Sequence, residues 1–173
     1  NKYYKSQIKG PKKIEKGKNI TIVANSLNVI ECLFVSKILK KYGITIDLFD
    51  LRVCRPLKLD DIKKSVKKTG KLMTIDLGSK ILGIGSEIVS EITSSCFKFL
   101  SAPPVRIGMP DYPTPSSRGY LKDHYPDKKK IINELSNFFP IIKKNYKSIM
   151  NELNKENKKL PIDIPDPSFK GPF

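Results

Sequence analysis

The stretch with the most chemical promise is 76-DLGSKILGIGSEIVSEI-92, where glycines follow an expected strand and open an expected helix. Backbone N–H groups at such a helix start can face a phosphate. A dinucleotide loop needs G-x-G-x-x-G straight after the first strand. Gly83 and Gly85 supply the G-x-G, but Ile88 stands where the third glycine belongs. A P-loop needs G-x4-G-K-[ST]. Gly78 and Gly83 have that spacing, yet Ile84 occupies the lysine position. Both phosphate readings fail at a named residue. Packing explains the glycines better: they allow a tight turn and bring the helix start close to a neighbouring backbone. Glu87 then falls in the first turn, where a helix N-terminus stabilises a carboxylate.

The other reactive side chains form no catalytic set. His124 is the only histidine and sits in KDHYP, among surface-type residues and without a base partner. Asp47, Asp50 and Asp76 lie on or just beyond strands. The carboxyl ends of parallel strands are where α/β proteins bind ligands. Without a phosphate loop, these aspartates are expected to cap and to form ion pairs. Arg52, Arg55 and Arg106 are three of only four arginines. Their planar forks suit fixed ion pairs and interfaces, and pairing with the strand-end aspartates is the plain expectation. Cys32, Cys54 and Cys96 are dispersed in apolar surroundings. That pattern argues against a disulfide framework or a metal site and for buried free thiols. No Ser/His/Asp or Cys/His arrangement stands out, so no catalytic, cofactor-binding or metal residue is assigned.

The elements that must position these residues alternate along the chain. Residues 1–18 are basic and broken by Gly10, Pro11 and Gly17, an arm with a short edge strand near Lys13–Glu15. The β-branched run 19-NITIVA-24 is a buried strand. Asn25 and Ser26 offer cap chemistry to a helix over 27–43, whose apolar residues Leu27, Ile30, Phe34 and Ile38 recur at helical spacing. A strand follows at 44–51, a turn and helix at 57–69 closed by Gly70, and a strand at 71–77. Then come a helix at 84–95, a strand at 104–109, a proline-rich surface loop at 110–126 and a helix at 127–139. Strand–helix alternation with short connections means βαβ units and a largely parallel, helix-covered sheet. The main domain is expected over 19–139. One further amphipathic helix at 141–154 and a proline-punctuated extended tail complete 140–173.

Composition sets the outer limits. The chain has 173 residues, 39% of them apolar, and a net charge of +16. One domain with a real core fits that length. Lysine-rich basic chains often meet nucleic acid, but zinc spacing, aromatic-rich basic strands and base-reading arginines are missing here. Solvated surface lysines are the favoured reading; nucleic acid is not expected as a partner, nor is a membrane, since no apolar run approaches the roughly 20 residues needed to span one. The basic N-terminal stretch lacks the apolar segment of a secretion signal.

Four blocks in order resemble the C-terminal domain of the transketolase-like thiamine enzymes, and most nearly the E1 component beta subunit of 2-oxo acid dehydrogenases. They are 17-GKNITIVANS-26, 50-DLRVCRPL-57, 65-SVKKTGKLMTIDLG-78 continuing into Gly83, Gly85 and Glu87, and 105-VRIGMPDYPTP-115. The chain departs from that pattern at Val53, Cys54, Leu77 and Ser101.

The resemblance implies a three-layer α/β/α fold with a five-stranded, mostly parallel sheet whose first, short edge strand is antiparallel. It also implies an assembly role. Thiamine diphosphate and Mg2+ bind other domains of such enzymes, and the family's catalytic histidine precedes this segment. The expected interface residues are Gly83, Gly85, Glu87, Arg106, Asp111, Tyr112, Pro113 and Pro115. The implied partners are other E1 domains or an alpha subunit, in a homo- or hetero-oligomer, and an E2 subunit-binding domain. That last domain is itself usually basic, so a +16 chain repels it. The implied location is the cytoplasm, or an organelle matrix where a targeting sequence lies upstream. The other functional class open to the sequence is a free-standing, non-catalytic binding module with the same fold.

Overall fold

The computed structural model describes residues 9–121 and 123–156. Five strands, β1 (Lys12–Glu15), β2 (Ile20–Ala24), β3 (Ile46–Asp50), β4 (Leu72–Ser79) and β5 (Val105–Met109), form one sheet in the order β1-β3-β2-β4-β5. β1 runs antiparallel to β3, and the other pairs are parallel. This is the sheet that the resemblance implied.

Period-two alternation decides which face each strand residue covers. Ile20, Ile22, Ala24, Ile46, Leu48, Met73 and Ile75 point to one face and share a core with α1 (Leu27–Lys40), α4 (Lys128–Phe138), α5 (Pro140–Lys144) and α6 (Tyr146–Glu156). Val23, Phe49 and Leu72 point to the other and pack on α2 (Asp60–Thr69) and α3 (Ile84–Cys96). Helices on both faces bury the central strands, and every residue of β2 is buried, Thr21 included.

Local chemistry fixes the helix ends, with three departures from expectation. Gly70 adopts φ 68° and ends α2 with a bond to the Val66 carbonyl, as its position suggested. Ser26 stands at the start of α1 with φ 50° but makes no side-chain cap, and the Asn25 amide turns to Asp76 instead. The last helix is two helices: Asn145 donates its side-chain amide to the Ile141 carbonyl and its carbonyl starts α6, so a helix break falls between Lys144 and Tyr146. Cys54 is exposed, while Cys32 and Cys96 are buried free thiols. Burial, then the neighbouring Glu31, pushes the Cys32 thiol far above its ordinary value.

Ile142, Ile149 and Leu153 are buried in the core beneath α1, so the helices after Pro140 share the sheet's own core. The expected extended tail at 159–173 lies outside the described residues. Among the described residues, no helix is long and apolar enough to cross a membrane.

Candidate functional site

The chain reverses its winding between β2 and β4, whose following helices, α1 and α3, lie on opposite faces. In open α/β sheets a crevice forms at that point. Here it is nearly closed. Its void, lined by Asn25, Thr74, Asp76, Gly85 and Ile88 among others, measures about 10 Å3. That admits at most a single water. Asn25 donates to Asp76 Oδ1 at 2.9 Å, and the Gly78 N–H reaches the same oxygen at 3.0 Å. Asn25 Oδ1 and Thr74 Oγ1 are buried without a partner in the void wall.

The turn beyond β4 fills the crevice. β4 pairs in register with β5 through Ile75–Ile107, then bulges before Ser79 meets Met109. Three glycines let the turn lie against the sheet. A Cβ on Gly83 would stand 2.2 Å from the Ser79 carbonyl oxygen, one on Gly85 would stand 2.7 Å from Thr74 Oγ1, and one on Gly108 would stand 2.9 Å from Lys80 Cα. Arg106, on edge strand β5, locks the arrangement: its Nη1 donates to the Lys80 carbonyl at 2.8 Å and to Ser86 Oγ. Lys80 N–H closes onto the Met109 carbonyl at 2.9 Å.

The product is a fixed turn that presents apolar side chains to solvent. Leu82 is 96% exposed and Ile81 54%. Leu82 also has φ 58°, in the left-handed region that a leucine occupies only at a cost of about 1 kcal/mol or more. The backbone of the turn is held in this strained shape by Arg106 and by the Lys80 N–H.

The second loop at this end of the sheet, 110–126, is held by a different device. His124 is fully buried, between Tyr112 at 5.3 Å and Tyr125 at 5.0 Å between ring centroids. Its Nε2 lies 3.1 Å from Thr114 Oγ1, and its Nδ1 has no partner. The expectation of a surface histidine is therefore wrong. KDHYP is polar locally, but the loop folds back over it.

The sequence-expected interface residues divide accordingly. Gly83, Gly85 and Arg106 meet in one cluster. Asp111, Tyr112 and Pro113 are exposed, and Pro115 half-buried, on the neighbouring loop that leaves β5 at the same end. Glu87 is exposed on the first turn of α3. Arg106 bonds a carbonyl and a hydroxyl, not the strand-end aspartates expected as its partners. Sequence reasoning missed Ile81, Leu82 and Ser86. The available signal was an apolar pair between the closely spaced Gly78 and Gly83, where a turn leaves no core to bury it.

Comparison with known proteins follows this geometry. The family model described as Transketolase, C-terminal domain, matches residues 10–131. Pyruvate dehydrogenase E1 component subunit beta, mitochondrial, of Mus musculus is 38% identical over 125 residues, 71% of this chain and 35% of that one. The protein of the same name from Dictyostelium discoideum is 40% identical over 107 residues, 61% of this chain and 30% of that one. The chain thus spans about a third of the length of these relatives. A solved split gene transketolase, described as an inactive beta4 tetramer, superposes with a TM-score of 0.64 over 76% of this chain and 42% of its own, at 22% identity, and supports the fold. The match over most of the chain, together with the sheet order and the glycine-pinned turn, leads to one conclusion: the chain belongs to the transketolase C-terminal domain family, homologous to the E1 component beta subunit of pyruvate dehydrogenase.

Proposed function

We propose that this chain is the C-terminal assembly domain of a thiamine diphosphate-dependent enzyme of the 2-oxo acid dehydrogenase E1 or transketolase type. It builds subunit interfaces and docks partners, while the chemistry resides on other domains. The observation that carries this reading is the turn Lys80–Gly83, where a left-handed, solvent-facing Leu82 is held by Arg106 and by glycines that no side chain could replace.

The residues of this end of the sheet do not fit a diphosphate. The space a glycine loop would offer to phosphate oxygens is taken by the Ser79 carbonyl and the Thr74 hydroxyl. Among the described residues, no group of three or more His, Cys, Asp or Glu side chains is placed to hold a metal ion. On this reading, thiamine diphosphate and Mg2+ are held by other domains of the parent.

The partners are further E1 domains or an alpha subunit, meeting the Ile81–Leu82 turn and the 111–115 loop. An E2 subunit-binding domain is the finer candidate; the chain's net charge of +16 opposes a basic partner, and only the exposed Glu87 and Asp111 at this end offer it local negative charge. The relatives' names carry the word mitochondrial, which supports an organelle matrix, with the cytoplasm as the alternative.

The test is the intact mass of the native gene product from its own cells, followed by Leu82→Asp in that product. A mass well above 19.6 kDa, or a stable complex with a thiamine diphosphate-binding subunit, is expected. Leu82→Asp should then weaken assembly, read by light scattering, about tenfold or more, as loss of a central apolar anchor does. A free 19.6 kDa chain that associates with no such subunit would instead establish a free-standing binding module.

A further inference from the structure

The outward face of α1 carries an apolar groove on the opposite side of the molecule from the crevice-filling helix α3. Val29, Cys32, Val35, Ile38 and Leu39 face the core. Ile30, Leu33, Phe34 and Lys37, spaced as one helical stripe, line a surface groove of about 340 Å3, and Leu33 is 37% exposed. A surface stripe at these positions is ordinarily polar.

Two neighbours bracket the groove. On the α4 side, Lys128 Nζ lies 4.4 Å from the Phe34 ring centroid and 3.7 Å from Glu31 Oε1. At the C-terminal end of α1, Glu152 of α6 accepts from Lys41 Nζ and, at 3.2 Å, from the Tyr42 hydroxyl. α6 ends at Glu156, one turn beyond that anchor. The chain therefore leaves α6 beside the C-terminal end of α1, with residues 157–173 still to come.

We infer that the segment 160-LPIDIPDPSF-169 docks in the α1 groove of its own chain. Its sequence places Leu160, Ile162 and Ile164 at alternate positions, the pattern by which an extended segment offers one apolar side. Asp163 and Asp166 give this segment negative charge, opposite to the chain's net +16. Prolines 161, 165 and 167 favour extended backbone by sequence, which lowers the entropy lost on docking.

Reach is sufficient. From Lys41 back to Ile30 is about 16 Å at ~1.5 Å per helical residue. Extended chain covers roughly 3.1 Å per residue, so residues 157–169 span that distance about twice over. Size favours a tethered occupant over a second copy. The four described side chains that line it offer far less than the ~800 Å2 per partner of a stable dimer. A tether, by contrast, presents its segment at millimolar effective concentration, so a weak site suffices.

The experiment uses Leu33→Trp, a single reporter because the chain has no tryptophan. Emission is compared between the full chain and one ending at Glu156, with far-ultraviolet circular dichroism confirming that both are folded. The full chain should be blue-shifted relative to the shortened one. A synthetic peptide of residues 159–173 should restore the shift with saturation. The same peptide should titrate calorimetrically into the shortened chain that keeps Leu33, and bind about tenfold or more weakly when Leu33→Asp is introduced. Equal emission from both forms with no saturable peptide binding would overturn the proposal. A blue shift that appears only as concentration rises, with a doubled scattering mass, would overturn it in favour of a neighbour's tail in the groove.

Discussion

The two ends of the sheet are built on opposite principles. At the amino end, polar groups turn inward and satisfy one another. Thr21 bonds Ser65 and Thr69 at 2.7 and 2.8 Å, and Ser65 donates to the fully buried Asp47. Lys13, Lys68 and the Gly17 N–H complete the Asp47 carboxylate at 3.0–3.1 Å. At the carboxyl end, Asn25 Oδ1, Thr74 Oγ1 and His124 Nδ1 are buried without partners, and Leu82 faces water in a strained conformation. A sealed network with nothing left over serves stability. At the other end, buried polar atoms without a protein partner and the left-handed, exposed Leu82 mark the region that the proposed assembly role would use.

The comparison breaks most forcefully at glycine. A Cβ on Gly17 would meet the Ile46 carbonyl carbon at 2.3 Å, and one on Gly83 the Ser79 carbonyl oxygen at 2.2 Å. Both obstacles are backbone and cannot swing aside. Gly17→Ala and Gly83→Ala should each lower unfolding free energy by about 3 kcal/mol in denaturant titration. Their consequences for assembly should diverge. At stability-matched temperatures, Gly83→Ala should also lower the assembled fraction by light scattering, whereas Gly17→Ala should leave it intact. Equal loss of assembly in both would mean that the two ends do not differ in function.

A smaller effect sharpens the description of the sealed end. Burial opposes the charge on Asp47, yet its bonds from Ser65, Lys13, the Gly17 amide and Lys68 together hold its carboxyl below the ordinary value. A carboxyl lowered in the folded state binds fewer protons there than in the unfolded chain. Its stabilisation is complete above the unfolded value of about 3.9 and fades as pH falls through the lower folded value. Asp47→Asn should cost about 2 kcal/mol near pH 7, where two half-exposed lysines lose their partner but regain water. The gap between the two proteins should narrow in acid, below about pH 4. A gap constant with pH would assign the loss to packing and not to charge.

The sequence made the frame of this molecule legible because its frame is periodic. Ile20, Ile22 and Ala24 alternate on β2, and Gly70 ends α2, both from short-range rules that tertiary packing reinforces. A short edge strand near Lys13–Glu15 was also legible, and the resemblance, resting on ordered blocks, supplied its antiparallel direction, which four mostly exposed residues could not have announced. Failures occurred where distant residues decide. His124 is buried by Tyr112 and Tyr125 in a loop whose local composition is that of a surface. Asn25 and Ser26 looked like caps until Asp76, brought in from a neighbouring strand, took the amide. Asn145 split a helix with a side-chain bond that hydrophobic spacing does not encode. In the candidate site, the glycines and Arg106 were visible by residue type. The exposed pair Ile81–Leu82 was not, because apolar spacing predicts burial and carries no information about a turn held away from any core.

The finest test lies at Arg106, where the rigidity of the turn and its apolar surface can be separated. The guanidinium spans the Lys80 carbonyl and Ser86 Oγ, tying the turn to the start of α3. Lysine keeps the charge and much of the reach, but its ammonium rotates freely, whereas both bonds here come from Nη1, whose two N–H directions the planar guanidinium fixes. Arg106→Lys should therefore cost only about 1 kcal/mol in stability, one net hydrogen bond. The turn itself should loosen, so hydrogen exchange at Ile81–Gly83 should quicken while exchange at the centre of β2 keeps pace with the small global change. Assembly should weaken several-fold through preorganisation alone, since Leu82 and every other docking side chain remain in place. If exchange quickens and assembly does not change, the turn docks by its apolar surface and its rigidity is incidental. If both change together, the strain at Leu82 and the fork of Arg106 are two parts of one device: a side chain held out in water so that a partner meets it already ordered.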